Sequence, residues 1–155
     1  ENLYCPPEAE TGRPALSRRG RVYHFSFPVF GAYLEHAVPA YRALLARCLG
    51  ELLPRPLLRA QGLPSFAQLT LTSQPGRRAA HILAYLPELR GPKTQVIEEP
   101  LLVQGARLGL RLDGFAPRAV YLAPGREPLA MELADGYAWV ALPEVRGHAL
   151  VVFEE

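Results

Sequence analysis

The spacing at which apolar residues recur changes near Leu63, and this change constrains the fold more than any other feature of the chain. Before it, Leu34, Val38, Tyr41, Leu45, Cys48 and Leu52 recur at intervals of four and three, which places them on one helical stripe. Pro39 fits the first turn of that helix, where a missing N–H costs nothing, and Pro54 stops it. The spacing therefore predicts a helix over Pro39–Leu53. After Leu63-Pro64 the chain becomes a series of short apolar runs separated by turn residues, the pattern of antiparallel strands.

Upstream of the helix, residues 5–20 are rich in Pro, Gly and charge and read as an extended loop. Arg21–Phe27 then alternates, with Tyr23, Phe25 and Phe27 on one side of a strand. Three rings on one face need a cover, and the helical stripe that follows supplies it. Fully burying a large apolar side chain contributes about 1.5–3 kcal/mol, so this ring face should be stabilised by several such increments. A strand followed at once by an amphipathic helix is an α/β layer, but one of each cannot close a domain. Either the rest of its sheet lies elsewhere in a longer polypeptide, or the piece packs on the region that follows.

In that region the candidate strands are Ala67–Ser73, Arg78–Leu86, Thr94–Val103, Arg107–Leu112, Ala119–Leu122, Leu129–Leu133, Tyr137–Leu142 and His148–Phe153. Gln74-Pro75-Gly76, Arg90-Gly91-Pro92, Asp113-Gly114, Pro124-Gly125 and Asp135-Gly136 supply turn chemistry between them. The only two Asp residues both precede Gly, which marks them as turn residues rather than acids of a catalytic pair. Strands at this spacing predict an antiparallel β-sandwich. Its inward-facing candidates are Leu69, Leu71, Ile82, Leu83, Tyr85, Leu108, Leu110, Val120, Leu122, Trp139, Val140, Leu150 and Val152. The expected fold class is mainly β, divided into residues 1–62, a fragment of an α/β unit, and 63–155, the sandwich.

Composition bounds the function. With 49% hydrophobic and 21% charged residues the chain can bury a core. A net charge of +2 from scattered arginines argues against a nucleic-acid partner. No apolar run reaches the roughly 20 residues needed to cross a bilayer, so the expectation is no membrane partner and a cytoplasmic location. Cys5 and Cys48 form neither a metal pair nor a disulfide framework, and Cys48 reads as a small buried hydrophobe.

No motif carries chemistry on its own. Glu98 and Glu99 are adjacent, so on a strand they point to opposite faces and cannot form the carboxylate pair of a glycosidase. His24, His36, His81 and His148 lack metal-ligand spacing. Ser17, Ser26, Ser65 and Ser73 lie outside any nucleophile elbow, and Gly105 and Gly109 sit in strand-like sequence rather than a phosphate loop. The expectation is therefore no catalytic residue, no cofactor and no metal. Trp139, Tyr121 and Tyr137 are candidates for contact with a sugar, since small sandwiches present aromatics to glycans, although a core or domain-contact role suits Trp139 better.

Four segments carry a resemblance: His81–Gly91, Val96–Glu99, Val120–Pro124 and Val145–Val152. They resemble the C-terminal β-domain of glycoside hydrolases related to the β-galactosidases with a trimerisation domain. Val22–Phe30 with Tyr33, the helix and Leu63-Pro64 resemble the end of that trimerisation domain, which has an amidotransferase-like α/β fold without that fold's catalytic apparatus. The resemblance implies a (β/α)-barrel upstream in the same polypeptide, holding both catalytic carboxylates, and a homo-oligomer, a trimer. It carries no catalytic residue onto any position here. The implied role is a non-catalytic structural and oligomerisation region of a β-galactosidase-like hydrolase, without activity of its own. Two alternatives stand beside it: a carbohydrate-binding sandwich module, and an enzyme complete in this chain that uses His81 or His148 with a nearby Glu.

Overall fold

In the computed structural model, which describes residues 12–155, the first element is a hairpin. Strand β1 (Leu16–Arg19) pairs antiparallel with β2 (Val22–Phe25) around Gly20-Arg21, and Gly20 takes the positive φ of 59° that such a tight turn requires. The loop expected up to Gly20 is thus part strand. Leu16-Ser17-Arg18-Arg19 carries too little apolar pattern to announce itself, and its backbone pairing with β2 makes it a strand. Cys5 and the rest of the expected loop before residue 12 lie outside the described residues.

Two helices follow, α1 (Val29–His36) and α2 (Pro39–Leu52). Pro39 occupies the first turn of α2 as expected. Ala37, with φ at 51°, ends α1 in the left-handed conformation and breaks the stripe. Leu34 therefore points to solvent at 88% exposure, correcting its place on the buried face, while Cys48 is buried. The ring face is partly covered, with Phe27 packing on Tyr41 at 5.6 Å and edge-on to Phe25 at 6.0 Å.

The chain divides at Pro54–Arg55 into two compact units. The second is an antiparallel β-sandwich. Its smaller sheet runs β12 (Met131–Ala134), β13 (Tyr137–Ala141), β9 (Arg107–Arg111) and β3 (Leu58–Gln61). The larger is centred on β15 (His148–Glu154), flanked by β10 (Ala119–Ala123) and by β5 (Arg77–Leu83). Beyond these, β10 pairs with β11 (Glu127–Pro128), and β5 with β4 (Gln68–Gln74). β14 (Val145–Arg146) enters β15 through Gly147 and pairs with β8 (Leu102–Val103). The short ribbon of β6 (Glu88–Leu89) and β7 (Gln95–Val96) stands apart from both sheets.

Both sheets contribute to one core. Ala80 and Ile82 from β5, Val151 and Phe153 from β15 and Val120 from β10 share it with Leu108, Leu110, Ala138 and Val140 from the smaller sheet. The expected turns close these strands. At Asp135-Gly136 both residues adopt positive φ, 54° and 78°, as the hairpin between β12 and β13 demands.

Several expectations change. Leu150, Val152 and Trp139, expected inward, lie on the outer faces of their sheets, because Val151 and Phe153 on β15 and Ala138 and Val140 on β13 take the core side. Thr94–Val103 is two short strands rather than one, because Pro100 donates no hydrogen bond and interrupts the pairing. Leu83 and Tyr85 face outward, about 40% exposed, since adjacent strand residues cannot both follow Ile82 inward. Leu58–Gln61, outside the expected strands, forms the edge of the smaller sheet, its apolar signal hidden among Pro54, Pro56 and two arginines.

Candidate binding groove on the larger sheet

The pleat that sends Ala80, Ile82, Val151 and Phe153 into the core sends their neighbours to the outer face of the larger sheet. Register then aligns three cross-strand rows. Gln74, Arg77, Glu154 and Ala119 form the first, Thr72, Ala79, Val152 and Tyr121 the second, and Thr70, His81, Leu150 and Ala123 the third. Ala79 is short and sits between Arg77 and His81 on the same strand face, so the middle row is recessed. The result is an open groove of about 420 Å³. Ala79, Val152 and Leu150 form its apolar floor, while Thr72, Gln74, Arg77, His81, Tyr121 and Arg126 line it.

The cations of the groove are held in different ways. Arg126 has φ at 55° in the turn after β10, stacks its guanidinium 4.4 Å above the Tyr121 ring, and donates to the Glu154 carboxylate at 2.9 Å. Arg77 donates through Nε to the Gln74 amide oxygen at 2.5 Å and makes no ion pair among the described residues. Thr72 Oγ1 donates to the Ala79 carbonyl at 3.3 Å. Glu154, in the first row, is the carboxylate beside the groove, and it is engaged with Arg126. Such a set can hold an anionic or hydroxyl-rich ligand, and it lacks the paired carboxylates with which a glycosidase cleaves.

At one end of the groove the structure brings together the two histidines that sequence reasoning named as catalytic candidates. His81 Nδ1 lies 3.4 Å from His148 Nε2, with the rings nearly parallel at 19°. Neither forms an ion pair with a carboxylate among the described residues. Glu98 lies elsewhere and is paired with Arg90 at 2.8 Å, and Glu99 is exposed. No group of three His, Cys, Asp or Glu side chains placed to hold a metal occurs among the described residues, and no described helix is long and apolar enough to cross a membrane.

The three aromatic sugar-contact candidates separate. Tyr121 borders the groove at 8% exposure, covered by Arg126. Tyr137 and Trp139 lie together on the smaller sheet, 6.0 Å apart. Tyr137 is fully buried, with its hydroxyl donating to the Pro56 carbonyl at 2.7 Å. Trp139 is 9% exposed beneath Arg107 and packs over Gly109, where any Cβ would come within 2.8 Å of the indole. Arg77, Arg126, Thr72 and Gln74 were not picked out from sequence. The usable signal was the alternation Arg77, Ala79, His81 on one strand face, with a small residue between two basic ones.

A second concavity, about 220 Å³, lies in the first unit and is lined by Leu16, Tyr23, Leu44, Arg47, Cys48 and Glu51. Its polar groups satisfy one another. The Tyr23 hydroxyl and Arg18 Nη1 both donate to Glu51 Oε2, the latter at 2.7 Å.

No protein-family model and no curated protein matches the sequence. Among solved structures, the chain is similar to α-L-fucosidase isoenzyme 2 from Paenibacillus thiaminolyticus, with a TM-score of 0.87 and 24% identity over 96% of this chain. A cycloisomaltooligosaccharide glucanotransferase from Paenibacillus sp. aligns over 63% of this chain and 16% of its own, at 14% identity and a TM-score of 0.46, too low to carry any inference. The first match establishes a shared fold, and this chain spans 23% of the fucosidase's length.

Proposed function

We propose that this chain is a non-catalytic structural portion of a larger glycoside hydrolase, behind a barrel that carries the acids. The observation that carries this reading is the fold match over 96% of the chain to 23% of an α-L-fucosidase. The groove chemistry supports it, since the carboxylates nearest the outer sheet face are engaged with arginine, as Glu154 is with Arg126. A relation to the β-galactosidases with a trimerisation domain is the finer form of the proposal, and it rests on the segments His81–Gly91 and Val145–Val152. Trimeric association belongs to that finer form. The apolar side chains left exposed at Phe30, Leu34, Leu49 and Leu53 suit a surface that a larger assembly covers.

An antibody raised against the chain tests the first part. The native product is expected to run far above 17.1 kDa and to copurify with glycosidase activity, and a native product of 17.1 kDa overturns the proposal. The purified chain is expected to release no chromophore from aryl glycosides. Hydrolysis that disappears in His81→Ala would establish the self-contained enzyme instead. Light scattering tests the assembly, with self-association expected and a monodisperse monomer at high concentration counting against it.

The carbohydrate-binding alternative is favoured by one observation, the groove beside Tyr121.

A further inference from the structure

We infer that the groove on the larger sheet binds an acidic oligosaccharide, one whose sugar rings carry carboxylates. Arg77 is the centre of this inference. Its Nε is spent on Gln74, which orients the guanidinium, and it makes no ion pair among the described residues, although Glu154 stands opposite it in the pairing of β5 and β15. A guanidinium held by one neutral partner keeps its terminal N–H groups for a bidentate acceptor, the geometry a carboxylate offers. Arg126 stands at the β10 end of the groove, made rigid by the Tyr121 ring below it and by Glu154 beside it. Glu154 pairs with Arg126 and faces Arg77 in the register, so two guanidinium groups against this one carboxylate leave the groove net positive.

A neutral sugar fits less well. Neutral rings are held by stacking on an open aromatic face, and Tyr121 is 8% exposed beneath a guanidinium. A free phosphate also fits less well, because it calls for donors converging on a small site, whereas this groove offers about 420 Å³ with an apolar floor of Ala79, Val152 and Leu150. An apolar floor, hydroxyl and amide groups at Thr72 and Gln74, and a cation at the rim match a pyranose with one apolar face, a hydroxyl edge and a carboxylate.

This inference rests on reading the chain as part of a glycoside hydrolase, yet its test is separate. The full chain is titrated calorimetrically with tetragalacturonate, with maltotetraose as the neutral comparator and inorganic phosphate as the bare anion. Tetragalacturonate is expected to bind saturably, about tenfold or more tighter than maltotetraose, and to weaken as salt rises. Arg77→Gln is expected to weaken it about tenfold, one bidentate charge-assisted contact. Arg77 is exposed, so the variant's unfolding midpoint by Trp139 fluorescence should match that of the parent chain. Arg90→Gln, whose ion pairs with Glu88 and Glu98 lie outside the groove, should leave binding unchanged. Absence of tetragalacturonate binding, equal affinity for maltotetraose, phosphate binding of equal strength, or an unaltered affinity in Arg77→Gln would each overturn the inference. If the native polypeptide proves to be a glycosidase while tetragalacturonate fails to bind, the groove proposal alone falls. If tetragalacturonate binds and the native product is only 17.1 kDa, the parentage falls and the groove stands.

Discussion

The two units of this chain treat their apolar residues in opposite ways. The sandwich encloses sixteen buried apolar side chains in one core, with Ile82, Leu108, Leu110, Val145, Val151 and Phe153 each at no measurable exposure. In the unit ending at Pro54, by contrast, Val29 and Cys48 are the buried residues among those described, and the Tyr23, Phe25 and Phe27 face is half covered. The difference is one of closure. Two sheets face to face satisfy each other's apolar sides, whereas a hairpin and two helices leave Phe30 70% and Leu34 88% exposed. A unit so open gains stability from whatever covers it, which agrees with the proposal that it belongs to a larger protein.

The contrast breaks most visibly if the core is emptied. Phe153 lies on the central strand of the larger sheet and is fully buried, so Phe153→Ala should destabilise the sandwich by about 3–5 kcal/mol through lost transfer energy and the cavity left behind. Trp139 is the chain's single Trp and belongs to the sandwich, which makes its fluorescence a reporter of that unit in urea. A midpoint unchanged from the parent chain would show that the core is not shared between the sheets as described.

Overpacking the smaller sheet should cost less. Gly109 faces Trp139 across the pairing of β9 and β13, and a methyl group there meets the indole ring. Gly109→Ala is expected to cost about 1–3 kcal/mol in the same assay. Adding Trp139→Leu should recover much of that loss relative to Trp139→Leu alone, and far-ultraviolet circular dichroism would read this pair because the fluorophore is gone. Full additivity of the two substitutions would refute the clash.

In the open unit the corresponding effect should be smaller still. Phe27 is half-buried and touches Tyr41 and Phe25, so Phe27→Ala should cost about 1–2 kcal/mol, the pair contacts plus part of the ring's burial. Tyrosine near-ultraviolet dichroism can follow it. A loss as large as that of Phe153→Ala would mean that the unit is closed after all.

Sequence reasoning succeeded where a local rule determines the outcome and failed where a partner strand does. The α2 helix was readable because Pro39 and Pro54 punctuate it and its stripe repeats. The Asp135-Gly136 hairpin was readable because only a positive-φ turn suits that pair. β1 and β3 were not, since their strand character comes from pairing with β2 and β9 rather than from apolar pattern. Leu34 was misplaced because a continuous four-three spacing does not reveal that Ala37 breaks the axis. Of the groove, His81 and Tyr121 were named, yet their proximity depends on the register of β5, β15 and β10, which joins residues far apart in the chain. Arg77 and Arg126 were invisible for the same reason, two among many scattered arginines.

The smallest effect sharpens the comparison from the electrostatic side, because the open unit has a polar cluster where the sandwich has core. The Tyr23 hydroxyl donates to Glu51, and this bond, followed by donation from Arg47 and the positive charges of Arg18 and Arg47, holds the Glu51 carboxyl below its ordinary value of 4.5. The same bond keeps the Tyr23 proton in place and raises that phenol above 10.0. The signs are opposite. The contribution of Glu51 is present above its ordinary value and fades as pH falls through the lowered one, while that of Tyr23 is present below 10.0 and fades as pH rises through the raised one. Stability of the unit should therefore be level at neutral pH and decline at both extremes, only modestly, since both groups are solvent-accessible and screened. Tyr23→Phe removes the shared bond, so the Glu51 carboxyl, followed by carbon-detected nuclear magnetic resonance, should titrate at a higher pH than in the parent chain. A titration that does not move would mean that the arginines alone set the charge of Glu51, and that the hydroxyl contributes contact without electrostatic consequence.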